Sequence, residues 1–401
     1  MRVLIADKIP PSGVRAITEL GVDVLERPDL QSADLPAALA ECGAEVLVVR
    51  STKVTAAAFT AAPRLGMVVR AGAGVNTIDI AAANRHGVFV TNCPGKNAIA
   101  VAELTMGMNL ALDRRIPDAV AQMRQGQWNK RRFGQAEGLH GRRLGLVGFG
   151  HIGREVAKRA QAFGMVVVVF SADVDRAAAE ALGVEFATEL DALLRGCDVV
   201  SLHVPYSKAT HHLIGGRELA LLCDGALVIN TARGGIVDDG ALAEAVRSGR
   251  IRAALDVFED EPAAAEASFA SPVRELPGLY ATPHIGASTE QAERATAVEA
   301  ARIIDEYLRT GNVAGAVNLQ RGRAAHYGVV VRHRDRVGVL AGILGTLREE
   351  QLNVQEMQNV VFEGQETACA SISLERQPSA ALIERLRTQP DVIAVDLRAI
   401  P

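Results

Sequence analysis

The clearest chemistry in the sequence lies in the glycines of Leu144-Gly-Leu-Val-Gly-Phe-Gly150 and the residues after them. They space as Gly148-x-Gly150-x-x-Gly153, between an apolar strand-like run and a helical pattern. At such a junction Gly148 permits a tight turn and Gly150 lets the backbone approach a pyrophosphate. Gly153 lets helix and strand pack closely. The helix N-terminus, at His151 and Ile152, offers unpaired N–H groups and the positive end of a dipole to the phosphates. A dinucleotide is the expected ligand. Its ribose reader belongs at the end of the next strand, where a carboxylate would hold a 2′-hydroxyl. Ser171 occupies that place and Asp173 lies two residues on. No Arg follows directly, although Arg176 is near, so NAD is favoured and NADP stays open. Three further segments carry polar groups beyond apolar runs: Asn230-Thr-Ala-Arg-Gly-Gly-Ile-Val-Asp238, Asp256-Val-Phe-Glu-Asp-Glu-Pro262 and Thr282-Pro-His-Ile-Gly-Ala-Ser288. Open α/β sheets place their sites at such strand ends.

These groups need elements to hold them. In the first 110 residues, strand-like runs at Val3–Ala6, Val46–Arg50, Met67–Arg70 and Val88–Thr91 alternate with Ala-rich helical stretches. That alternation predicts a parallel sheet with crossover helices. Ala98–Leu112 reads as a buried helix. After the glycine loop, Ile152, Val156, Ala160 and Phe163 share one helical face. Met165–Phe170 is a fully apolar strand, as in a sheet covered on both sides. Strands follow at Val199–Val204, Ala226–Thr231, Ile251–Val257 and Leu279–Thr282, with a helix at Asp238–Arg247 among the intervening segments. The expected fold is α/β, with two doubly wound parallel sheets. Beyond a Gly- and Arg-bearing linker, the order is strand (Tyr327–Arg332), helix (Gly338–Glu350), strand (Val354–Phe362), strand (Glu366–Leu374), helix (Ser379–Thr388), strand (Ile393–Leu397). That βαββαβ order is ferredoxin-like.

Composition bounds the rest. The 401 residues are enough for two to four domains. Aromatics are only 4%, so Ala, Val, Leu and Ile must fill the cores. The 43 basic and 47 acidic residues leave a net charge of −4, which argues against a general nucleic-acid binder. The longest apolar run, Met165–Phe170, is far short of a membrane span, and the N-terminus has no signal-peptide pattern. The five cysteines include no C-x-x-C, so neither a metal site nor a disulfide framework is expected. Reduced thiols in a cytoplasmic protein are the simplest reading.

The glycine loop and the three polar segments, in this order, resemble the D-2-hydroxyacid dehydrogenase family over roughly residues 1–318. The resemblance implies a discontinuous substrate-binding domain (1–98 and 286–318) around an NAD-binding domain (99–285). It matches Arg233, Glu261 and His284 to the family's catalytic residues. Arg233 would hold the substrate carboxylate and keto oxygen. His284 would be the general acid/base, and Glu261 would orient its imidazole and favour the protonated form. Thr231, Ala232, Asp256 and Gly286 would lie by the nicotinamide, with Asp256 accepting from its carboxamide. His203 and Pro205 would line the cofactor loop. The cationic and glycine segments at Arg50–Lys53, Arg70–Asn76, Asn92–Asn97 and Trp128–Arg132 resemble a cleft for an anionic acid. Arg50, Ser51, Gly74, Val75, Asn97 and Arg131 are the candidates there. The expected pair is 3-phosphoglycerate and 3-phosphohydroxypyruvate, at the first step of serine synthesis. Glyoxylate, hydroxypyruvate and 4-phosphoerythronate are the alternatives, and a corepressor-like NAD(H)-sensing scaffold is the alternative of another class.

After a linker at 319–325, residues 326–401 resemble an ACT domain, an amino-acid-sensing module. His333 and Asn353 are the candidate effector contacts, and L-serine is the implied allosteric ligand. Asp335 stands where serine-binding members carry Asn, and Val337 where Pro is usual. The family also implies a homodimer, or a homotetramer, in which Trp128 and its neighbours reach the partner's cleft.

Overall fold

The computed structural model describes residues 1–172, 176–262, 266–273, 275–313, 315–320 and 326–399. Residues 1–318 form one compact unit and 319–401 another. The first unit holds two parallel sheets. Strands β1 (Arg2–Ile5), β2 (Asp23–Glu26), β3 (Val46–Val49), β4 (Met67–Arg70) and β5 (Phe89–Asn92) order as β2-β1-β3-β4-β5. Strands β6 (Arg143–Val147), β7 (Val166–Phe170), β8 (Glu185–Phe186), β9 (Val199–Leu202), β10 (Leu227–Asn230), β11 (Arg252–Leu255) and β12 (Leu279–Ala281) order as β12-β11-β10-β9-β6-β7-β8. Each order reverses once, between β1 and β3 and between β6 and β9. Such switch points open a crevice beyond the carboxyl ends of the strands.

The central strands are largely apolar because helices cover both faces. All four residues of β3 and β10 are buried. Val, Leu, Ile and Ala dominate the cores, and Phe59 is the largest fully buried side chain. Two short strands escaped the sequence reading, β2 and β8. Both sit at or beside sheet edges and carry carboxylates, so they lack the apolar run that marks the others. Strands read as reaching Val204, Thr231 and Val257 stop one to two residues earlier. There the chain leaves the ladder to line the crevice.

The 21-residue helix Glu290–Thr310 also went unread. Thr289 caps it by accepting from Ala292 N–H at 3.1 Å. It returns the chain to the first sheet, where Ala300, Ala301, Ile303 and Ile304 pack with Val3, Ile5, Val46 and Met67. Its approach to the helix Pro11–Thr18 is close enough that a Cβ on Gly13 would run into the Ala297 methyl. The arm between the sheets ends in an exposed stretch where Trp128 is 80% accessible.

The second unit is an antiparallel sheet of β13 (Tyr327–Arg334), β14 (Val354–Val361), β15 (Thr367–Leu374) and β16 (Val392–Ala399), ordered β14-β15-β13-β16. Helices Val339–Glu349 and Ala380–Arg387 complete the βαββαβ order, and Ile343, Leu347, Leu382 and Leu386 pack with Val329, Val331 and Ile372. Most of the linker (321–325) lies outside the described residues. No helix among the described residues is long and apolar enough to cross a membrane.

Two glycine substitutions should move stability in opposite directions. Gly13→Val overpacks the interhelical contact and should cost about 1–3 kcal/mol. Gly345→Ala, inside a helix with open space at its Cβ position, should gain about 0.5–1 kcal/mol. Thermal unfolding of the full chain measures both.

Candidate active site

The glycine loop stands at the switch point of the second sheet. Gly148 has φ +101°, and a Cβ there would lie 2.6 Å from the His203 carbonyl oxygen at the end of β9. A Cβ on Gly153 would lie 2.5 Å from the Gly148 carbonyl oxygen, whereas Gly150 faces open space. Gly150 is also the N-cap of the helix His151–Ala162, and no side chain caps that end. The first turn's N–H groups are therefore open to an anion, and the residues fit a dinucleotide pyrophosphate. Ile152, Val75, Ala232, His203 and Pro205 line the cleft above. His151 packs its ring on Gly95, tying the loop to the first sheet's side. Ser171 is half-buried at the end of β7, and Asp173 lies outside the described residues.

His203 is a neutral imidazole. Burial pushes it down to about 3, Nε2 pairs with Ser201 Oγ at 2.9 Å, and Nδ1 is a buried polar atom with no protein partner. A buried orphan nitrogen beside the glycine loop is a further feature that a ligand in the cleft could satisfy. Thr231 is committed elsewhere, its hydroxyl pairing with Thr105 Oγ1 at 2.8 Å.

The second centre is built around Asp256, a buried residue just past β11. Its Oδ1 accepts from Thr282 Oγ1 at 2.5 Å and Ile285 N–H at 2.8 Å, and its Oδ2 from Gly286 N–H at 2.8 Å. Its backbone carbonyl accepts from His284 N–H at 2.9 Å. A carboxylate has about four acceptor sites, so Oδ2 keeps room for one more donor. Gly286 is fixed in type, because a Cβ there would lie 2.9 Å from Oδ2. These bonds hold His284 at φ +52°, a left-handed backbone uncommon outside glycine. The imidazole then meets Glu261, Nδ1 to Oε2 at 2.7 Å.

Glu261 takes Phe258 N–H on its other oxygen at 3.1 Å. The hydrogen bond to Glu261 raises His284 above its ordinary 6.5, against the effect of burial. Burial would push Glu261 up, but the bond and charge of His284, with the Phe258 N–H and the charge of Arg233, hold it below the usual range. Both side chains stay reachable, 47% and 32% exposed. Arg233 is brought alongside by the neighbouring glycine. A Cβ on Gly234 would fall inside the Phe258 carbonyl, so only glycine lets the two loops touch. Arg233 gives one N–H to the Ala232 carbonyl at 2.7 Å and turns the rest of its fork to the cleft.

A cavity of about 140 Å³ lies at the first sheet's switch point, lined by Arg50, Arg70, Gly74, Asn97, Arg233 and His284 among others. A water needs about 10–15 Å³ of such volume, so this is room for a small organic acid. Asp7, after β1, organises its rim by accepting from the N–H groups of Arg50, Ser51 and Thr52 at 2.7, 3.1 and 3.0 Å. Arg70, at the end of β4 in the cationic segment Arg70–Asn76, also lines the cavity. It donates to the Arg50 and Gly74 carbonyls at 3.2 and 2.9 Å.

Three expected contacts fall elsewhere. Ser51 is exposed and turns its hydroxyl to Asp7 at 3.0 Å, since that carboxylate gathers the whole 50–52 turn. Arg131 is exposed on the short helix Lys130–Phe133 and does not line the cavity of its own chain. In the second unit, His333 is 1% exposed and both ring nitrogens are used, Nδ1 on the Arg334 carbonyl and Nε2 on Asn359 Oδ1. It is a core histidine whose two ring nitrogens face protein oxygens and not an open site. Asn353 is exposed.

Residues 106–286 match the family described as D-isomer specific 2-hydroxyacid dehydrogenase, NAD binding domain. A D-3-phosphoglycerate dehydrogenase of Mycobacterium bovis is 39% identical over 389 residues, covering 95% of this chain and 71% of its own. The chain belongs to the D-isomer-specific 2-hydroxyacid dehydrogenase family. Another D-3-phosphoglycerate dehydrogenase, of Methanocaldococcus jannaschii, is 40% identical over 321 residues, 80% of this chain and 60% of that protein. This chain therefore spans about 60% of the length of that relative. Among solved structures, an NAD+-bound 3-phosphoglycerate dehydrogenase of Entamoeba histolytica superposes with a TM-score of 0.65 at 26% identity, over 80% of this chain and 99% of that one. A glyoxylate reductase from Paecilomyes thermophila reaches 0.70 at 25%, over 79% and 98%. Both structural matches are to dehydrogenase or reductase chains, and the family segment encloses the glycine loop, Arg233, Glu261 and His284.

Glu261→Gln weakens the hydrogen bond to His284 and removes the carboxylate charge, the two effects that raise it. With His284 as the proton donor of a reduction, activity is full below its pKa and falls above it. The variant's descending limb should move to lower pH, toward the ordinary 6.5, with a loss at pH 7 of about fourfold from protonation. A pH profile of kcat/KM in the reducing direction measures this.

Proposed function

We propose that this chain catalyses reversible hydride transfer between NAD and the pair 3-phosphoglycerate and 3-phosphohydroxypyruvate, the first step of phosphorylated serine synthesis. The observation that carries the reading is one cleft in which three guanidinium groups, from Arg50, Arg70 and Arg233, meet the His284–Glu261 pair. A small substrate with two anionic ends suits that charge. The names of the relatives support the same substrate, and the first sheet with the helix Glu290–Thr310 is read as the substrate-binding lobe.

Nicotinamide, when bound, supplies the hydride to the keto carbon or takes it back. This chain's residues do the rest. Arg233 pairs with the substrate carboxylate and polarises the neighbouring carbonyl. His284 Nε2 passes its proton to the carbonyl oxygen as that oxygen becomes a hydroxyl. Nδ1–H stays on Glu261, which keeps the ring in one orientation throughout. Asp256 holds the loop that aims the ring and offers its free Oδ2 lone pair to the carboxamide. Gly148, Gly150, His151 and Gly153 seat the pyrophosphate. Arg131 serves this reading only from the neighbouring copy of a homodimer, with the exposed Trp128 segment reaching across. The second unit is read as an ACT-like regulatory domain on its strand order.

Initial rates test the substrate and nucleotide together. Reduction of 3-phosphohydroxypyruvate with NADH should exceed that of glyoxylate or hydroxypyruvate by at least about tenfold in kcat/KM, since a lost charge-assisted contact is worth roughly 1.5–3 kcal/mol. NADPH should be the poorer donor. Preference for the unphosphorylated acids would keep the mechanism and reject the substrate. For the tail, titration calorimetry of the full chain with L-serine should give saturable heat, and no heat discards serine as its ligand.

A further inference from the structure

The three guanidinium groups of the cavity are not held alike. Arg70 and Arg233 donate to backbone carbonyls, of Arg50 and Gly74 and of Ala232 respectively. Arg50 instead donates through Nη2 to Glu293 Oε1 at 2.7 Å. Both partners line the cavity, and both are partly open, 39% and 33% exposed. The Arg50 backbone is fixed apart from this, by Asp7 on its N–H and by Arg70 on its carbonyl. So the ion pair fixes only the end of the side chain.

A distal phosphate on the substrate and the Glu293 carboxylate compete for the same guanidinium. An exposed carboxylate–arginine pair is weak. A phosphate dianion brings more charge and three acceptor oxygens, so it can displace a carboxylate from the fork. Glu293 sits in the first turn of the helix Glu290–Thr310, where the helix's positive end favours a negative charge. Its carboxylate therefore has a compensating environment once Arg50 leaves it. A 2-hydroxy acid with no distal anion needs only Arg70 and Arg233, and leaves the pair closed.

We propose that Glu293 is a specificity-determining residue that holds Arg50 in an exchangeable ion pair, opened by a distal phosphate on the substrate. This rests on the phosphorylated-substrate reading above. Glu293→Gln keeps the shape and an acceptor for Arg50 but removes the competing charge. In the full chain, its KM for 3-phosphohydroxypyruvate should fall by roughly three- to tenfold, and inhibition by inorganic phosphate should tighten by a similar factor. The KM for hydroxypyruvate should stay within about twofold. With Arg50→Ala already present, the effect of Glu293→Gln on phosphate inhibition should vanish, because the exchange acts through Arg50.

An unchanged or raised KM for the phosphorylated substrate overturns the proposal, as does a common shift for both substrates. So does a phosphate effect that persists without Arg50, which would indicate plain charge repulsion. If wild-type enzyme instead prefers unphosphorylated acids, the substrate reading fails, and phosphate inhibition of the variants still decides the exchange. A Glu293→Gln chain that does not fold is replaced by Glu293→Ala, whose phosphate inhibition must tighten likewise.

Discussion

Four hydrogen bonds converge on Asp256, and the acid–base pair depends on them. Two reach Oδ1, one reaches Oδ2 and one reaches the backbone carbonyl. Together they fold the 282–286 turn tightly enough to hold a histidine in a left-handed backbone. A non-glycine residue persists there only when its surroundings over-determine it. The side chain is thereby aimed at Glu261 by main-chain geometry before any substrate arrives. Pre-set geometry of this kind lowers the reorganisation needed at the moment of proton transfer.

The two sheets of the first unit solve the same problem in opposite chemistry. Each opens at one reversal of strand order. At the second sheet the opening is kept by missing side chains, Gly148, Gly150 and Gly153, and it presents bare N–H groups. At the first sheet the N–H groups of the 50–52 turn are instead consumed by Asp7. There the guanidinium groups of Arg50, Arg70 and Arg233 line the cavity beside the 72–74 turn. A pyrophosphate would thus meet backbone, and under the proposed function the small acid meets charged side chains as well. A backbone site is fixed by fold, whereas a side-chain site can be retuned by single residues.

The sequence was most legible where covalent spacing dictates geometry. The glycine loop, the strand-to-loop exits carrying Arg233 and His284, and the βαββαβ order are local patterns, and each is found in place. Arg70 ends β4, and its side-chain direction depends on β3 lying beside β4, which no local pattern shows. Glu293 hid because its partner is 243 residues away in sequence. The helix that carries it is rich in charge and lacks a strongly apolar run, although its small residues pack tightly. Ser51 and His333 failed in the other direction. Their residue types suited a ligand, but Asp7 and Asn359 had already claimed their polar atoms, which no local pattern announces.

The exposed arm has an optical consequence. Trp128 is the chain's single tryptophan and is 80% accessible, while the cores are built of aliphatic side chains. Loss of either core would change tryptophan emission little, because the indole already faces water. Anything that covers the arm would shift the emission to shorter wavelength. The intrinsic fluorescence of this protein is therefore a reporter of association at the arm, and circular dichroism must follow its folding.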